Sequence, residues 1–120
     1  MSYAELHCHS YYSFHDGASS LEELIVSAKE LGYQALALTD HDNLCGAMRF
    51  AQLTRSLGMQ GIIGAELTLK DGYHLTLLAK DNTGYSNLCR LLTAAHHAGE
   101  RNEPELPPEL LAEHAAGLIC

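Results

Sequence analysis

The chain has 120 residues, of which 47% are hydrophobic, a length and composition that suit a single globular domain. Its 15 acidic and seven basic residues give a formal net charge of −8, which argues against nucleic-acid binding through phosphate contacts of this segment, since those contacts need lysine and arginine. No apolar run approaches the ~18 residues of a membrane span, and Glu5, His7 and His9 interrupt the first apolar residues, so we expect a cytoplasmic protein with no membrane partner.

The first third of the chain alternates strand and helix signals, as a parallel α/β fold does. Residues 3–10 are predicted as a strand that leads into a polar turn. Ser20 and Glu23 have the spacing of a capping box at the start of a helix, which Gly32 ends. The apolar run at residues 35–39 predicts a short strand that is covered on both faces.

The pattern continues to the last residue. The second helix is predicted to face the core with the stripe Leu44, Ala47, Met48, Ala51 and Leu57. Two strands are predicted next, at residues 61–69 and 73–80. Two helices follow at residues 84–98 and 107–117, and residues 117–120 are predicted to begin another strand. The turn Lys70-Asp71-Gly72 joins the two strands, and the third helix is predicted to bury Tyr85. Four or five such units make only part of a closed barrel, which needs about 250 residues in its eight-stranded form.

Two histidines lie on the first predicted strand. His7 and His9 are two positions apart, so their imidazoles should emerge on the same face of the strand. Two imidazoles at the end of a parallel strand can hold one divalent ion or two neighbouring ions. The alternative is a pair of half-exposed polar residues.

A second polar cluster, Thr39-Asp40-His41-Asp42, directly follows the second strand. In parallel α/β folds this end of the strands is where ligands bind, so the two clusters should face each other. As an alternative, Asp40 or Asp42 caps the next helix. Asp40 is also placed to orient a ligand imidazole by a hydrogen bond to it.

Further candidate ligands follow from carboxylates in unusual positions. Glu66 lies in an otherwise apolar strand, where a carboxylate is costly to bury unless it is paired or ligating; it would otherwise be a solvent-facing position. Asp16 follows the first strand, where a turn is the ordinary explanation, and His15 beside it is either a substitute ligand or exposed.

The remaining histidines have structural explanations. His74 begins a strand, which places it at the opposite end from the clusters if all strands are parallel, and we expect it to be structural. His96 and His97 end the third helix, where the helix dipole favours a protonated histidine.

Taken in order, these motifs resemble those of the polymerase-and-histidinol-phosphatase (PHP) superfamily. The matching stretches are His7-Cys8-His9-Ser10, Ser13-Phe14-His15-Asp16-Gly17-Ala18, Leu38-Thr39-Asp40-His41-Asp42 and Gly64-Ala65-Glu66. More narrowly, the chain is similar to the N-terminal PHP domain of bacterial C-family DNA polymerases of the error-prone alpha-subunit type. That similarity includes residues 77–81, 84–88 and 95–100 and covers essentially all 120 residues.

The resemblance implies a fold and a metal site. The fold would be a distorted (β/α)₇ barrel, of which residues 1–120 supply a single partial PHP domain with the first four to five βα units. Two or three divalent ions, of a kind that mixed His/carboxylate ligation suits (Zn, Mn or Fe), would lie at its C-terminal rim. The implied ligands are His7, His9, Asp16, His41, Glu66 and His96, with His97 as the alternative to His96. Family ligands from later strands lie beyond residue 120, so we expect these residues alone to be inactive.

The resemblance also implies a function and partners. The chemistry would be metal-assisted phosphoester hydrolysis, as in a 3′–5′ exonuclease, within a DNA polymerase (nucleotidyltransferase) that serves DNA replication or translesion repair. The expected partners are the polymerase domains of the same parent chain, DNA through that parent, and a second copy at the open sheet edge. The alternatives are a free-standing phosphatase for a small phosphorylated metabolite and a non-catalytic structural module.

Overall fold

The strands of the chain form an open sheet with helices packed against it. The computed structural model describes residues 3–14 and 16–120. In chain order, which is also their order across the sheet, the strands are β1 (Ala4–Glu5), β2 (Ala35–Leu38), β3 (Gln60–Thr68), β4 (His74–Ala79) and β5 (Leu118–Ile119). The helices are α1 (Leu21–Glu30), α2 (Ala47–Ser56), α3 (Asn82–Ala98) and α4 (Glu109–Glu113). The predicted α/β class is confirmed.

Helix α1 begins where the capping box predicts. The Ser20 side chain accepts a hydrogen bond from Glu23 N at 3.2 Å, and the Glu23 carboxylate accepts one from Ser20 N at 3.0 Å. This satisfies two of the backbone donors that the first turn of a helix leaves without partners. Gly32, with φ of +83°, ends the helix as predicted.

Helix α2 buries a face that includes only part of the predicted stripe. Met48 and Ala51 are exposed, whereas Phe50 and Thr54 are buried with 0% and 2% of their surface exposed. The prediction holds for Ala47, which is buried, and for Leu44 and Leu57, which pack against the core, and it is wrong for the other two residues of the stripe. The helix begins only at Ala47, and Leu44 lies in the turn before it, where its carbonyl oxygen accepts from Ala47 N. Phe50 packs in an apolar cluster with residues of α1 and β2, so its side of α2 faces the sheet.

The other elements differ from prediction mainly at their ends. Helix α3 starts two residues earlier than predicted, since the Asp81 side chain accepts a hydrogen bond from Gly84 N at 2.8 Å and caps it. Tyr85 is half-buried rather than buried, and α4 ends at Glu113. Of the helices within the described residues, none is long and apolar enough to cross a membrane.

Strands β3 and β4 form an antiparallel hairpin, while β1, β2 and β3 run parallel. The register pairs Glu66 with Thr76 and Thr68 with His74. Residues that face each other across a strand pair, and residues two apart on one strand, lie on the same face of a sheet. His74 therefore lies on the face of Glu66, beside the carboxyl end of β3.

The buried apolar residues of the described chain form two clusters. One joins α1, β2 and α2 through Leu21, Ile25, Ala28, Leu36, Leu38, Phe50 and Met59. The other joins β3, β4 and α3 through Ala65, Leu67, Leu77, Leu88, Leu91, Leu92, Ala95 and Leu106. Strand β3 takes part in both, because Ile63 packs against the first cluster and Ala65 and Leu67 belong to the second.

Candidate metal centre

The segment that carries His7 and His9 is held beside β2 by side chains. Beyond Glu5 the β-ladder stops, yet Cys8 N donates to Thr39 Oγ1 at 2.9 Å and Thr39 N donates to Cys8 O at 2.8 Å. The predicted strand over residues 3–10 is therefore shorter in the structure, because the Thr39 side chain replaces a backbone partner. The segment stays extended, and the two imidazoles emerge on one side as predicted.

Asp40 anchors this segment from within the protein. Its carboxylate is 2% exposed and accepts hydrogen bonds from Ser10 N at 2.6 Å, Ser10 Oγ at 2.8 Å and Ser13 Oγ at 2.7 Å. Ser13 Oγ in turn accepts from His41 N at 2.9 Å. Asp40 thus holds the backbone segment that carries the imidazoles. We expected it to accept a hydrogen bond from a ligand imidazole, but among the described residues its hydrogen bonds come from Ser10 and Ser13 instead.

Asp40 and Asp42 do not cap α2, so that alternative is wrong. The N-cap position of α2 is Gly46, without a side-chain hydrogen bond. The Asp42 carboxylate instead accepts from Thr68 N at 2.8 Å and Thr68 Oγ1 at 2.7 Å. Together with the backbone bonds Asp42 N to Glu66 O and Glu66 N to Asp40 O, this contact extends the β2–β3 pairing and brings His41 beside Glu66.

Glu66 lies among three imidazoles. Its carboxylate oxygens are 3.2 Å from His7 Nε2, 3.0 Å from His9 Nε2 and 2.7 Å from His41 Nδ1. Glu66 is 8% exposed, so it does not occupy the solvent-facing position that was its alternative. Its neighbours in β3, which point the other way, are fully buried in the apolar core.

Two buried ligand atoms in this group have no hydrogen-bond partner. His9 Nε2 and Glu66 Oε2 lie 3.0 Å apart, yet neither makes a hydrogen bond with acceptable geometry. Buried polar atoms in folded proteins are nearly always paired, so an unpaired donor–acceptor couple needs an explanation. A divalent ion that takes a lone pair from each atom fits these residues, because imidazole and carboxylate are its usual protein ligands.

His41 connects this group to Asp16. Its Nε2 lies 2.5 Å from Asp16 Oδ2, while its ring centroid is 4.2 Å from that of His9. Gly17, which follows Asp16, approaches the main chain closely, since a Cβ at this position would lie 1.9 Å from Ser10 O. Among the described residues, three groups place their ligand atoms within 4.8 Å of one another: His7, His9 and Glu66; His9, Asp16 and His41; and His41, Glu66 and His74.

The third group includes a residue that the sequence analysis assigned to the wrong end of the sheet. His74 was expected to be structural because a parallel β4 would begin at the opposite edge. The hairpin reverses β4, and the His74 ring centroid lies 5.5 Å from that of His41. The short turn Lys70-Asp71-Gly72, in which Gly72 has φ of +88°, was the available signal for an antiparallel pair.

Among the described residues, five of the six predicted ligands fall within these three groups, and His96 falls in none of them. His96 Nε2 lies 2.6 Å from the carbonyl oxygen of Asp42, and within the described residues it belongs to none of the three groups. His97 is exposed on the same helix. His15, the proposed substitute ligand, lies outside the described residues.

The imidazoles and carboxylates lie together at the carboxyl ends of parallel strands, so the chain is an α/β domain with a candidate metal centre. Comparison with known proteins identifies the family of this chain. A family model described as the PHP domain matches residues 5–120. The chain belongs to the PHP domain family.

The curated relatives include bacterial DNA polymerases. The error-prone DNA polymerase of Symbiobacterium thermophilum is 52% identical over 136 residues, and the DNA polymerase III subunit alpha of Treponema pallidum is 46% identical over 134 residues. Each match covers 100% of this chain and 12% of the relative. The chain is thus homologous to the N-terminal region of these polymerases and spans 12% of their length. This homology, together with the match to the PHP domain, confirms the resemblance to their PHP domains.

Solved structures agree on the fold. An amidohydrolase from Chromobacterium violaceum, described with bound sulfate and no metal, has a TM-score of 0.64 and 30% identity over 79% of this chain and 34% of its own. A putative metal-dependent phosphoesterase from Bifidobacterium adolescentis has a TM-score of 0.61 at 21% identity, over 79% of this chain and 33% of its own. In both comparisons this chain matches about a third of a longer chain.

Proposed function

We infer that this rim binds divalent metal ions for phosphoester hydrolysis. The observation that carries the proposal is the buried Glu66 carboxylate, which lies within 3.2 Å of three imidazoles while its Oε2 has no hydrogen-bond partner. His7, His9 and Glu66 would hold one ion, and Asp16 with His41 a second. His74 is a further candidate ligand near Glu66 and His41.

Each part of the centre has a distinct chemical task in this proposal. Bound ions would lower the pKa of a coordinated water and stabilise negative charge on phosphoryl oxygens. Glu66, shared by two of the three groups, offsets the charge of neighbouring cations, and Asp40 fixes the loop that carries Asp16. The mixture of imidazole and carboxylate ligands favours Zn, Mn or Fe over Mg.

The wider role proposed here comes from the relatives. Identities of 46–52% over the whole chain support a place in an error-prone type of DNA polymerase III alpha subunit, serving replication or translesion repair. Residues 1–120 would then be part of a PHP domain. Its partners would be the polymerase domains of the same parent and, through them, DNA. Self-association through the outer edges of β1 and β5 stays a prediction, and both strands are only two residues long.

The metal content of the chain tests the proposed site. Wild-type protein and the variants Glu66→Gln and His41→Ala are dialysed against Zn²⁺ or Mn²⁺ and analysed for bound metal. We expect both variants to lose at least one equivalent, because each removes a ligand shared by two groups.

Matched controls separate loss of ligands from loss of charge or fold. Glu30→Gln makes the same change at an exposed site on α1, and His114→Ala removes an imidazole outside the three groups. Both controls should keep the wild-type metal content. Equal metal content in Glu66→Gln and wild type, with both folded by circular dichroism, would refute the proposed centre.

A further inference from the structure

A cavity of about 600 Å³ opens beside the metal centre, and His41 belongs to both. Tyr12 and Phe14 line it from the first loop, whereas His96 and Asn102 line it from α3 and the segment that follows. Sites for small organic ligands commonly have volumes of about 300–1,000 Å³. A ligand that reaches the proposed ions with one group therefore has room for a second group here.

Phe14 is the most exposed large apolar side chain of the described residues, with 82% of its surface accessible. A single exposed apolar side chain is common at a protein surface, but this ring also lines the cavity, where a ligand can cover it. The backbone around it is fixed, because Ser13 O accepts hydrogen bonds from Asp16 N at 3.1 Å and Gly17 N at 2.9 Å. The loop that places Asp16 at the ions thus also presents the Phe14 ring to the cavity.

The charge of the cavity indicates what kind of group it accepts. Of the described residues that line it, none is lysine or arginine. A phosphate within the cavity would meet neither a lysine nor an arginine among these residues, and the chain as a whole carries a formal charge of −8. An uncharged planar group fits better: it can stack on Phe14, and the Asn102 amide can donate to and accept from its edge.

We propose that this cavity binds the base of the nucleotide whose phosphate lies at the metal centre, with Phe14 as the stacking surface. The proposal rests on the proposed function, which places the phosphate at the ions. Base stacking on an aromatic side chain tolerates any base, so the site would select nucleotides over other phosphate esters without reading their sequence. Phe14 contributes to binding and not to the hydrolytic step.

The test compares two probes that differ only in the base. Metal-loaded chain is titrated with deoxyadenosine 5′-monophosphate and with deoxyribose 5-phosphate, and dissociation constants are measured by calorimetry. The wild type should bind the nucleotide about tenfold more tightly than the sugar phosphate. Phe14→Ala should remove that difference without weakening the sugar phosphate, and Phe14→Trp should restore it. Leu31→Ala, a truncation of another exposed apolar side chain (69%), should change neither constant.

The outcomes separate this proposal from the one on which it rests. If the sugar phosphate binds only with metal, yet both probes bind equally to the wild type, the base site is refuted and the metal centre stands. If neither probe depends on metal, the metal centre itself fails. If Phe14→Ala leaves both constants unchanged but alters the sedimentation of the chain, the cavity wall is a protein contact and the base site is again refuted.

Discussion

Replacement of Asp40 tests whether a buried carboxylate holds the candidate site together. Its three hydrogen bonds, at 2.6–2.8 Å, join the first motif to the end of β2. Asp40→Asn keeps the shape and one acceptor oxygen, and the rotating Ser10 hydroxyl can still accept from the new amide group. What the variant loses is the charge on the acceptor.

The magnitude follows from the number of bonds. A hydrogen bond to a charged group stabilises a protein by about 1.5–3 kcal/mol, against about 1 kcal/mol for a neutral pair, so three bonds lose about 3 kcal/mol in Asp40→Asn. That loss corresponds to a fall in Tm of roughly 10 °C for a domain of this size. The opposing effect is relief of the desolvation penalty of a buried carboxylate, which removal of the charge eliminates.

Urea unfolding of the metal-free chain, followed by circular dichroism, measures the difference. Asp71→Asn makes the same chemical change at an exposed turn and should stay within about 0.5 kcal/mol of the wild type. If Asp40→Asn is as stable as Asp71→Asn, desolvation cancels the three bonds and the argument for an anchoring role fails.

Three further changes have direct readouts. Gly17→Ala would place a Cβ 1.9 Å from Ser10 O, so it should displace the preceding ligand and weaken Zn²⁺ binding at least tenfold by titration; unchanged affinity would contradict the predicted ligand. His74→Ala removes an exposed imidazole, and we expect weaker metal binding with little change in Tm, whereas wild-type affinity would return His74 to a structural role. The hydrogen bond from Arg49 lowers the pKa of Glu22 below its ordinary value of 4.5. The pair therefore stabilises the fold fully above that value and loses its effect as pH falls through the lowered pKa. The Tm difference between wild type and Glu22→Gln should shrink steadily as pH is lowered from 4.5, and a difference that does not change with pH there would refute the assignment.

Local signals in the sequence predicted the elements that depend on neighbouring residues. Ser20 and Glu23 define the start of α1 because both capping partners lie within one turn. The strand β2 is buried along its whole length, as its unbroken apolar run indicates. Glu66 was found by a cost argument, since a carboxylate in an apolar strand needs compensation from partners, and the structure shows three imidazoles there.

Errors arose where the answer depends on how distant segments pack. The direction of β4 decides the position of His74: a parallel β4 would place it at the opposite end of the sheet, whereas the short turn at Gly72 reverses the strand. For Asp40 the sequence was compatible with capping of α2 or with a hydrogen bond to an imidazole, since either uses the carboxylate oxygens as acceptors. In the structure these oxygens accept hydrogen bonds from Ser10 and Ser13 instead. The role of His96 stays a prediction: it lies outside the three groups but lines a cavity together with His41, and periodicity does not report how close α3 comes to the rim.

The division of the apolar interior into two clusters has a consequence for how the chain would respond to metal. His9, Asp16 and His41 belong to segments that pack with α1, β2 and α2, whereas Glu66 and His74 come from the hairpin that packs with α3. An ion shared between these ligands would add a second link between the two clusters, which β3 already joins, and its binding free energy would add to the stability of the fold. A chelator should therefore lower the stability of the metal-loaded chain as a whole, even though it leaves every backbone hydrogen bond of the sheet in place.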